Sequence, residues 1–254
     1  TKFLFEGPEP VQVGVDPGTI EPERQSVLRG RVLDATGAPI AGALITIEKH
    51  PEYGSSRTDA VGWFDIALNG GVDAHVRIEA DGYITAYRHA FVAAGTWFTL
   101  DKAVLRMPES PSGVVDLGGE TKVAQAIRGR NVTDADGSRQ PLLIFPPGVT
   151  AVALLASGER RPLGAGTLRI TEFTYGDEGP DAMPAELPSA TQYTYAVDYS
   201  FDEAAKWGAE HVEFSAPVAS YLHNFLVFPV GTKVPSGFYE PSETAWVGDV
   251  DGRV

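Results

Sequence analysis

The chain is predicted to be all-β, folded as two β-sandwich domains. Two observations carry the prediction: apolar residues alternate with polar ones over short runs, and glycine and proline punctuate those runs from end to end. There are 28 glycines and 19 prolines in 254 residues, spread along the chain, as many short strands joined by many turns require. The length exceeds that of a typical single domain of roughly 100–200 residues, so two cores are expected.

The elements follow in order. Residues 1–25 form an extended lead-in arm, because Pro8, Pro10, Pro17 and Pro22 with Gly7, Gly14 and Gly18 prevent helix and interrupt ladders. A first sandwich spans residues 26–107. Its strands are expected at Val27–Leu33, Gly42–Glu48, Trp63–Leu68, Ala74–Ala80, Tyr87–Val92 and Phe98–Leu105, with turns at Asp34–Gly37, Thr58–Gly62, Asn69–Gly71 and Asp81–Tyr83. About seven strands would close it.

Met107-Pro108-Glu109-Ser110-Pro111 marks the boundary to a second β-rich domain, residues 108–254. Strands are expected there at Lys122–Val132, Gln140–Phe145, Thr150–Leu155, Thr167–Tyr175, Tyr193–Ser200 and Val212–Ala216. One short helix interrupts them. Ser200 stands as its N-cap, Asp202 and Glu203 fill its first turn and Gly208 ends it.

Composition excludes several classes of function. A formal charge of −14 with 20 basic residues offers no footprint for a phosphate backbone, and the acidity is read as surface solubility. The absence of cysteine removes disulfides, thiolate nucleophiles and zinc-thiolate sites. No run approaches the ~20 apolar residues of a membrane helix. The start without methionine and the strand-like 243–247 stretch just before the end read as cuts inside a longer polypeptide.

Residues 28–92 carry a further pattern: Gly30-Arg31-Val32-Leu33-Asp34 with Gly37 and Pro39, Gly42-Ala43, Thr58-Asp59 with Gly62-Trp63-Phe64, then Asp81-Gly82-Tyr83. This set resembles the carboxypeptidase regulatory-like, transthyretin-like fold. The remainder resembles the N-terminal region that precedes the YD-repeat shell in bacterial RHS proteins and the related teneurins. That likeness rests on the stretch 133–140, Phe145-Pro146-Pro147-Gly148, the stretches 182–188 and 193–197, the stretches 224–231 and 234–239, Ala245-Trp246-Val247, and the leader residues 3–7 and 14–20. In such proteins a transthyretin-like domain and a fibronectin-like plug precede a hollow shell that can enclose a toxic region. The resemblance implies a secreted or cell-surface structural module whose partner is the downstream shell of the same polypeptide, with no membrane insertion by this part. No Tyr-Asp repeat array occurs in the chain itself.

Candidate chemistry is sparse. His50, His75, His89, His211 and His223 form no helical pair, although His75 and His89 could face each other across a hairpin. No metal site is expected from them. Asp134-Ala135-Asp136-Gly137 and Asp249-Val250-Asp251-Gly252 share the opening spacing of calcium loops, so Asp134, Asp136, Asp249 and Asp251 are weak calcium candidates beside the favoured reading of Asx turns. No other cofactor is expected. Phe145-Pro146-Pro147-Gly148 also faintly resembles domains of the ankyrin spectrin-binding kind, some of which cleave themselves at a His-Phe-Ser sequence. In His211-Val212-Glu213-Phe214-Ser215 the histidine stands away from the serine.

No nucleophile, base and oxyanion set assembles, so a catalytic role is not expected. The aromatic residues Tyr221, Phe225, Phe228, Phe238, Tyr239 and Trp246 are expected to dock a partner. An alternative is an adhesion or carbohydrate-binding module, in which Trp63, Trp97 or Tyr83 would line a shallow groove.

Overall fold

The computed structural model describes residues 1–174, 181–186 and 194–254. They are nearly all strand, turn and loop, and they form two compact units. The units are not contiguous in sequence. The first takes Thr1–Met107 with Gly176–Thr194 and Pro235–Val250, and the second takes Pro108–Tyr175, Tyr195–Val234 and Asp251–Val254. The chain therefore passes between them after Met107 and again at later points that no composition shift marks.

In the first unit the strands are β1 (Gln25–Asp34), β2 (Leu44–Ile47), β3 (Ser55–Arg57), β4 (Trp63–Asn69), β5 (Val72–Glu79), β6 (Ala86–Val92), β7 (Trp97–Thr99) and β8 (Ala103–Leu105). One sheet has the order β3-β2-β5-β6, and the other pairs β4 antiparallel and both β7 and β8 parallel with β1. Alternation gives each strand one apolar face. Leu28, Val32, Phe64, Ile66 and Leu68 from one sheet meet Ile45, Ile47, Val76, Ile78 and Val92 from the other in one buried cluster.

Three expectations change here. Phe98–Leu105 is two strands, because Thr99 pairs with Arg29 while Ala103 pairs with Val32, leaving one extra residue on the later strand, as in a bulge. The three-residue strand β3 is additional and too short to show alternation. The arm is not simply extended: a 3-10 turn at Lys2–Leu4 buries Leu4 against Val27 and Ala67, which point away from the main core. Further along the arm, fully buried Gln12 donates from Nε2 to the carbonyls of Tyr53 (2.7 Å) and Ala67 (2.9 Å) and accepts from Ala67 N–H (2.7 Å). One amide thus satisfies three backbone groups that would otherwise be buried without partners.

Gly30 shows why the first motif needs glycine. A Cβ there would lie 2.6 Å from the Phe64 ring, so its missing side chain is the space the aromatic fills. Gly62, at φ +83°, makes the turn before Trp63 and would bring a Cβ within 2.5 Å of the Val32 carbonyl.

The second unit contains β9 (Gly113–Asp116), β10 (Gln125–Arg128), β11 (Val132–Asp134), β12 (Gly137–Arg139), β13 (Leu142–Phe145), β14 (Ala151–Leu155), β15 (Arg160–Leu163), β16 (Ala165–Glu172), β17 (Val197–Phe201), β18 (Ala209–Phe214) and β19 (Ala219–Tyr221). They form the orders β10-β13-β19, β15-β14-β18 and β17-β16-β9, with β11-β12 as a separate hairpin. Val115, Phe145, Ala153, Leu168, Ile170 and Phe201 center its core. The expected strand Lys122–Val132 is broken at Gly129, where a Cβ would meet Pro141 at 2.7 Å. Tyr175 and Tyr193, the last and first residues of two of the expected strands, lie outside the described residues.

The helix α1 (Asp202–Lys206) is present, but its N-cap is Phe201 and no side chain caps it. Ser200 remains in β17, since Phe201 is the last residue of that strand and is drawn into the core. The first-turn acids are used elsewhere: Asp202 is bound by Arg169 (Nε to Oδ1, 2.5 Å), and Glu203 accepts the amide and hydroxyl of Thr167. Gly208 at φ +66° follows the helix, as expected.

Candidate functional site

Two places in the first unit gather side chains that the core does not need. The first is the outer face of the β4-β1-β7 sheet. Register sets Arg31 opposite Trp63, Arg29 opposite Asp65 and Thr99, and Val27 opposite Trp97. Arg29 Nε and Nη2 donate to Asp65 Oδ1 and Oδ2, each at 2.7 Å, a bidentate fork that fixes the guanidinium. Its central carbon lies 5.8 Å from the Trp63 ring and 5.6 Å from the Trp97 ring, and Arg31 lies 5.9 Å from Trp63. Hydrogen bonding to Asp65 raises the Arg29 pKa further, so the charge is permanent. Trp63 and Trp97 are 37% and 54% exposed.

The second place is the open edge of β6. Tyr87 N–H donates to the Pro184 carbonyl at 2.6 Å, and Val104 N–H donates to the Asp181 carbonyl at 3.0 Å. Arg88 is almost fully buried and spends its guanidinium on backbone oxygens: Nη2 to Asp181 (2.5 Å), Nη1 to Met183 (3.0 Å) and to Tyr87 (2.7 Å). Burial lowers its pKa, with Glu186 and Asp181 opposing. Ala182, Met183 and Ala185 are buried beside it. A hairpin of Gly237–Glu240 and Ala245–Gly248 belongs to the same unit. Its Tyr239 ring packs 4.9 Å from Tyr87 and 5.7 Å from Trp246, whose Nε1–H donates to the Glu186 carbonyl at 3.0 Å. Burial pushes the Tyr239 hydroxyl up to about 12.

The six docking aromatics are thereby divided. Phe238, Tyr239 and Trp246 lie in the first unit, and Tyr221, Phe225 and Phe228 in the second. Tyr239 and Trp246 are engaged as just described. Phe225 lies under the Arg139 guanidinium, 4.7 Å from its ring. Tyr221, Phe228 and Phe238 are 57%, 37% and 47% exposed. Tyr83 packs against the core of the first unit, so it does not share the face of Trp63 and Trp97.

His75 and His89 do pair across a hairpin, with ring centroids 4.8 Å apart, and His89 Nε2 lies 3.2 Å from Asp73. His50 contacts Glu52 and His211 contacts Glu213; His223 is exposed. Three of the calcium candidates, Asp134, Asp249 and Asp251, spend carboxylate oxygens on other partners. Asp134 receives both Nη atoms of Arg139 at 2.9 and 2.8 Å, and its Oδ1 also takes the Asp136 amide. Asp249 caps the Val250 amide and Asp251 lies 3.9 Å from Lys233. Among the described residues no group of three or more His, Asp or Glu side chains could hold a metal ion. Ser215 is bonded to Thr150 through both backbone and hydroxyl, and His211 sits opposite Leu154. The Arg88 clamp and the Gln12 plug escaped sequence reading, since each depends on groups more than forty residues away.

The paired sheets, with two short strands parallel to the first, define a transthyretin-like β-sandwich module. Comparison narrows the class: residues 20–105 match the family described as Teneurin TTR-like domain, so this part of the chain carries a teneurin-like TTR domain. Teneurin-3 of Mus musculus is 31% identical over 94 residues, 37% of this chain, and Teneurin-3 of Danio rerio is 28% identical over 113 residues, 44% of this chain. The chain spans 4% of the length of those relatives. Among solved structures, 3-chlorocatechol 1,2-dioxygenase from Rhodococcus opacus shares 15% identity, with 37% of this chain and 64% of that one covered and a TM-score of 0.29, too slight a likeness to bear on activity. No helix among the described residues is long and apolar enough to cross a membrane.

Proposed function

We propose that this chain is a non-catalytic structural module of a secreted or cell-surface protein, and that it braces and plugs the YD-repeat shell of its parent polypeptide. The observation that carries the reading is the way the TTR-like sandwich takes in distant chain: the buried Arg88 guanidinium and the β6 edge hold the 181–186 segment by its backbone, and Tyr87 seats the 237–248 hairpin. A sandwich used as a fastening point for later chain suits a brace. A buried cation is costly to leave without its main-chain partners, so it fixes the position of the chain that supplies those carbonyls. The teneurin-like match over residues 20–105 supports the same reading.

Docking to the shell is assigned to the exposed rings Tyr221, Phe228 and Phe238, because Phe225, Tyr239 and Trp246 are engaged within their own units. The test is capture of the 254-residue chain by the separately expressed downstream shell, with each exposed ring changed to alanine in turn. Binding that weakens about tenfold for at least one of them supports the plug. Absence of capture by a well-folded chain overturns it.

A further inference from the structure

The outer face of the β4-β1-β7 sheet is divided. The arm closes one part, where Leu4 covers Val27 and Ala67. The rest is open and carries Trp63 and Trp97 on either side of Arg29. Neither ring is required by the brace. Leaving an indole in water forgoes roughly 25 cal/mol for every Å² that burial would remove.

Three properties of the face define what it would bind. Both rings flank one guanidinium, so they sit no farther apart than the sum of their two distances to it, within reach of neighbouring rings of one oligosaccharide. The Arg29–Asp65 fork uses two of the five guanidinium N–H groups and leaves three, together with free lone pairs on the carboxylate, at fixed positions between the indoles. Finally, the charges of Arg29 and Asp65 cancel. Anions are disfavoured by the net charge of −14, and cations meet two arginines.

A ligand that suits flat apolar planes and a fixed donor beside a fixed acceptor, on a chain whose net charge of −14 repels anions, has a C–H face and a rim of hydroxyls. We infer that the Trp63–Arg29–Trp97 face is a binding site for a neutral oligosaccharide, whose pyranose rings stack on the two indoles while hydroxyls between them bond Arg29 and Asp65. The site is independent of the plug, and its ligand lies outside the chain.

The test titrates the full chain, by calorimetry, with neutral hexasaccharides of glucose, mannose and N-acetylglucosamine, and with a hexamer of galacturonic acid. At least one neutral oligomer is expected to bind in the millimolar range or tighter, with Trp97→Ala and Trp63→Ala each weakening it about tenfold and Asp65→Asn weakening it less. Trp97 lies on a three-residue strand and is more than half exposed, so its variant retains the fold, which circular dichroism verifies. No binding by any neutral oligomer, binding confined to the acidic one, or affinity unchanged in a folded Trp97→Ala variant overturns the inference. A dimer in light scattering that Trp97→Ala dissolves would assign the face to a second copy of the chain and overturn it equally.

Discussion

The two units are built from the same kind of strand but differ in how they hold buried charge. In the first, the buried polar side chains Gln12, Ser26, Thr58, Asn69 and Arg88 are bonded to main-chain atoms, many of them far away in sequence. In the second, Arg139 is buried with a carboxylate on each side: Nε donates to Glu172 Oε1 at 2.7 Å, and both Nη atoms reach Asp134. One unit uses neutral or solitary groups to fasten chain. The other uses a charge cluster, in which each member depends on its counter-ion staying in place.

Removing Arg139 is the strongest way to break that contrast. Arg139→Ala leaves Glu172 uncompensated in the interior and is expected to cost the second unit about 3–5 kcal/mol, read as a lower urea midpoint. Hydrogen exchange resolved along the chain should place the loss in the second unit. Equal loss in both would show that the two do not respond separately.

Next in size is Gly30→Ala. Its Cβ would collide with Phe64 at 2.6 Å, and turning that ring out of a filled core is expected to cost about 1–3 kcal/mol, seen in the same midpoint with the first unit affected. Gln12→Ala should cost a similar or smaller amount, about 1–3 kcal/mol, by stranding the Ala67 amide and two carbonyls. Faster exchange of the Ala67 amide is its specific signature.

The smallest effects sharpen the comparison through pH. Asp134 is held below its usual value by hydrogen bonds from Arg139, so its contribution is complete above the unfolded value near ~4 and is lost as pH falls through the folded one. Tyr239 behaves in the reverse sense. Its folded value is raised to about 12 by burial, with Tyr87 and Glu48 adding to it, so its contribution is complete below the unfolded value near ~10 and is lost between there and about 12. The Asp134 contribution should therefore disappear in acid, at the Arg139 cluster of the second unit, and the Tyr239 contribution in alkali, at the hairpin of the first. Trp246 fluorescence across the alkaline range, compared with Tyr239→Phe, checks the second half; an identical profile in the variant would remove Tyr239 as the cause.

Sequence revealed what depends on neighbours. Alternation placed β1, β4, β5 and β6 within a residue or two, because a strand with one wet face must alternate, and Gly37, Gly62 and Gly82 marked turns that need positive φ. Trp63, Trp97 and Tyr83 stand out in sequence only as aromatics; that Trp63 and Trp97 flank Arg29 depends on strand register. Whatever depends on a remote partner stayed hidden. Ser200 reads as a cap in sequence although Phe201 enters the core, and Asp134 shows its Asx turn in sequence but not the Arg139 that binds it. The late aromatics form one cluster in sequence and are divided between two units in space, since adjacency along a chain says little about which core a side chain joins.

The interleaving of the first unit has a consequence for biosynthesis. Translation delivers β1 to β8 early, but the segment that Arg88 grips and the hairpin that covers Tyr87 emerge only as residues 181–186 and 237–248 leave the ribosome. Until then the β6 edge and a buried-to-be guanidinium stand open to water and to other nascent chains, a period of roughly 5–30 seconds at ~5–20 residues per second. The sandwich begun first is thus completed late, and a truncation well beyond Met107 would still leave it incomplete.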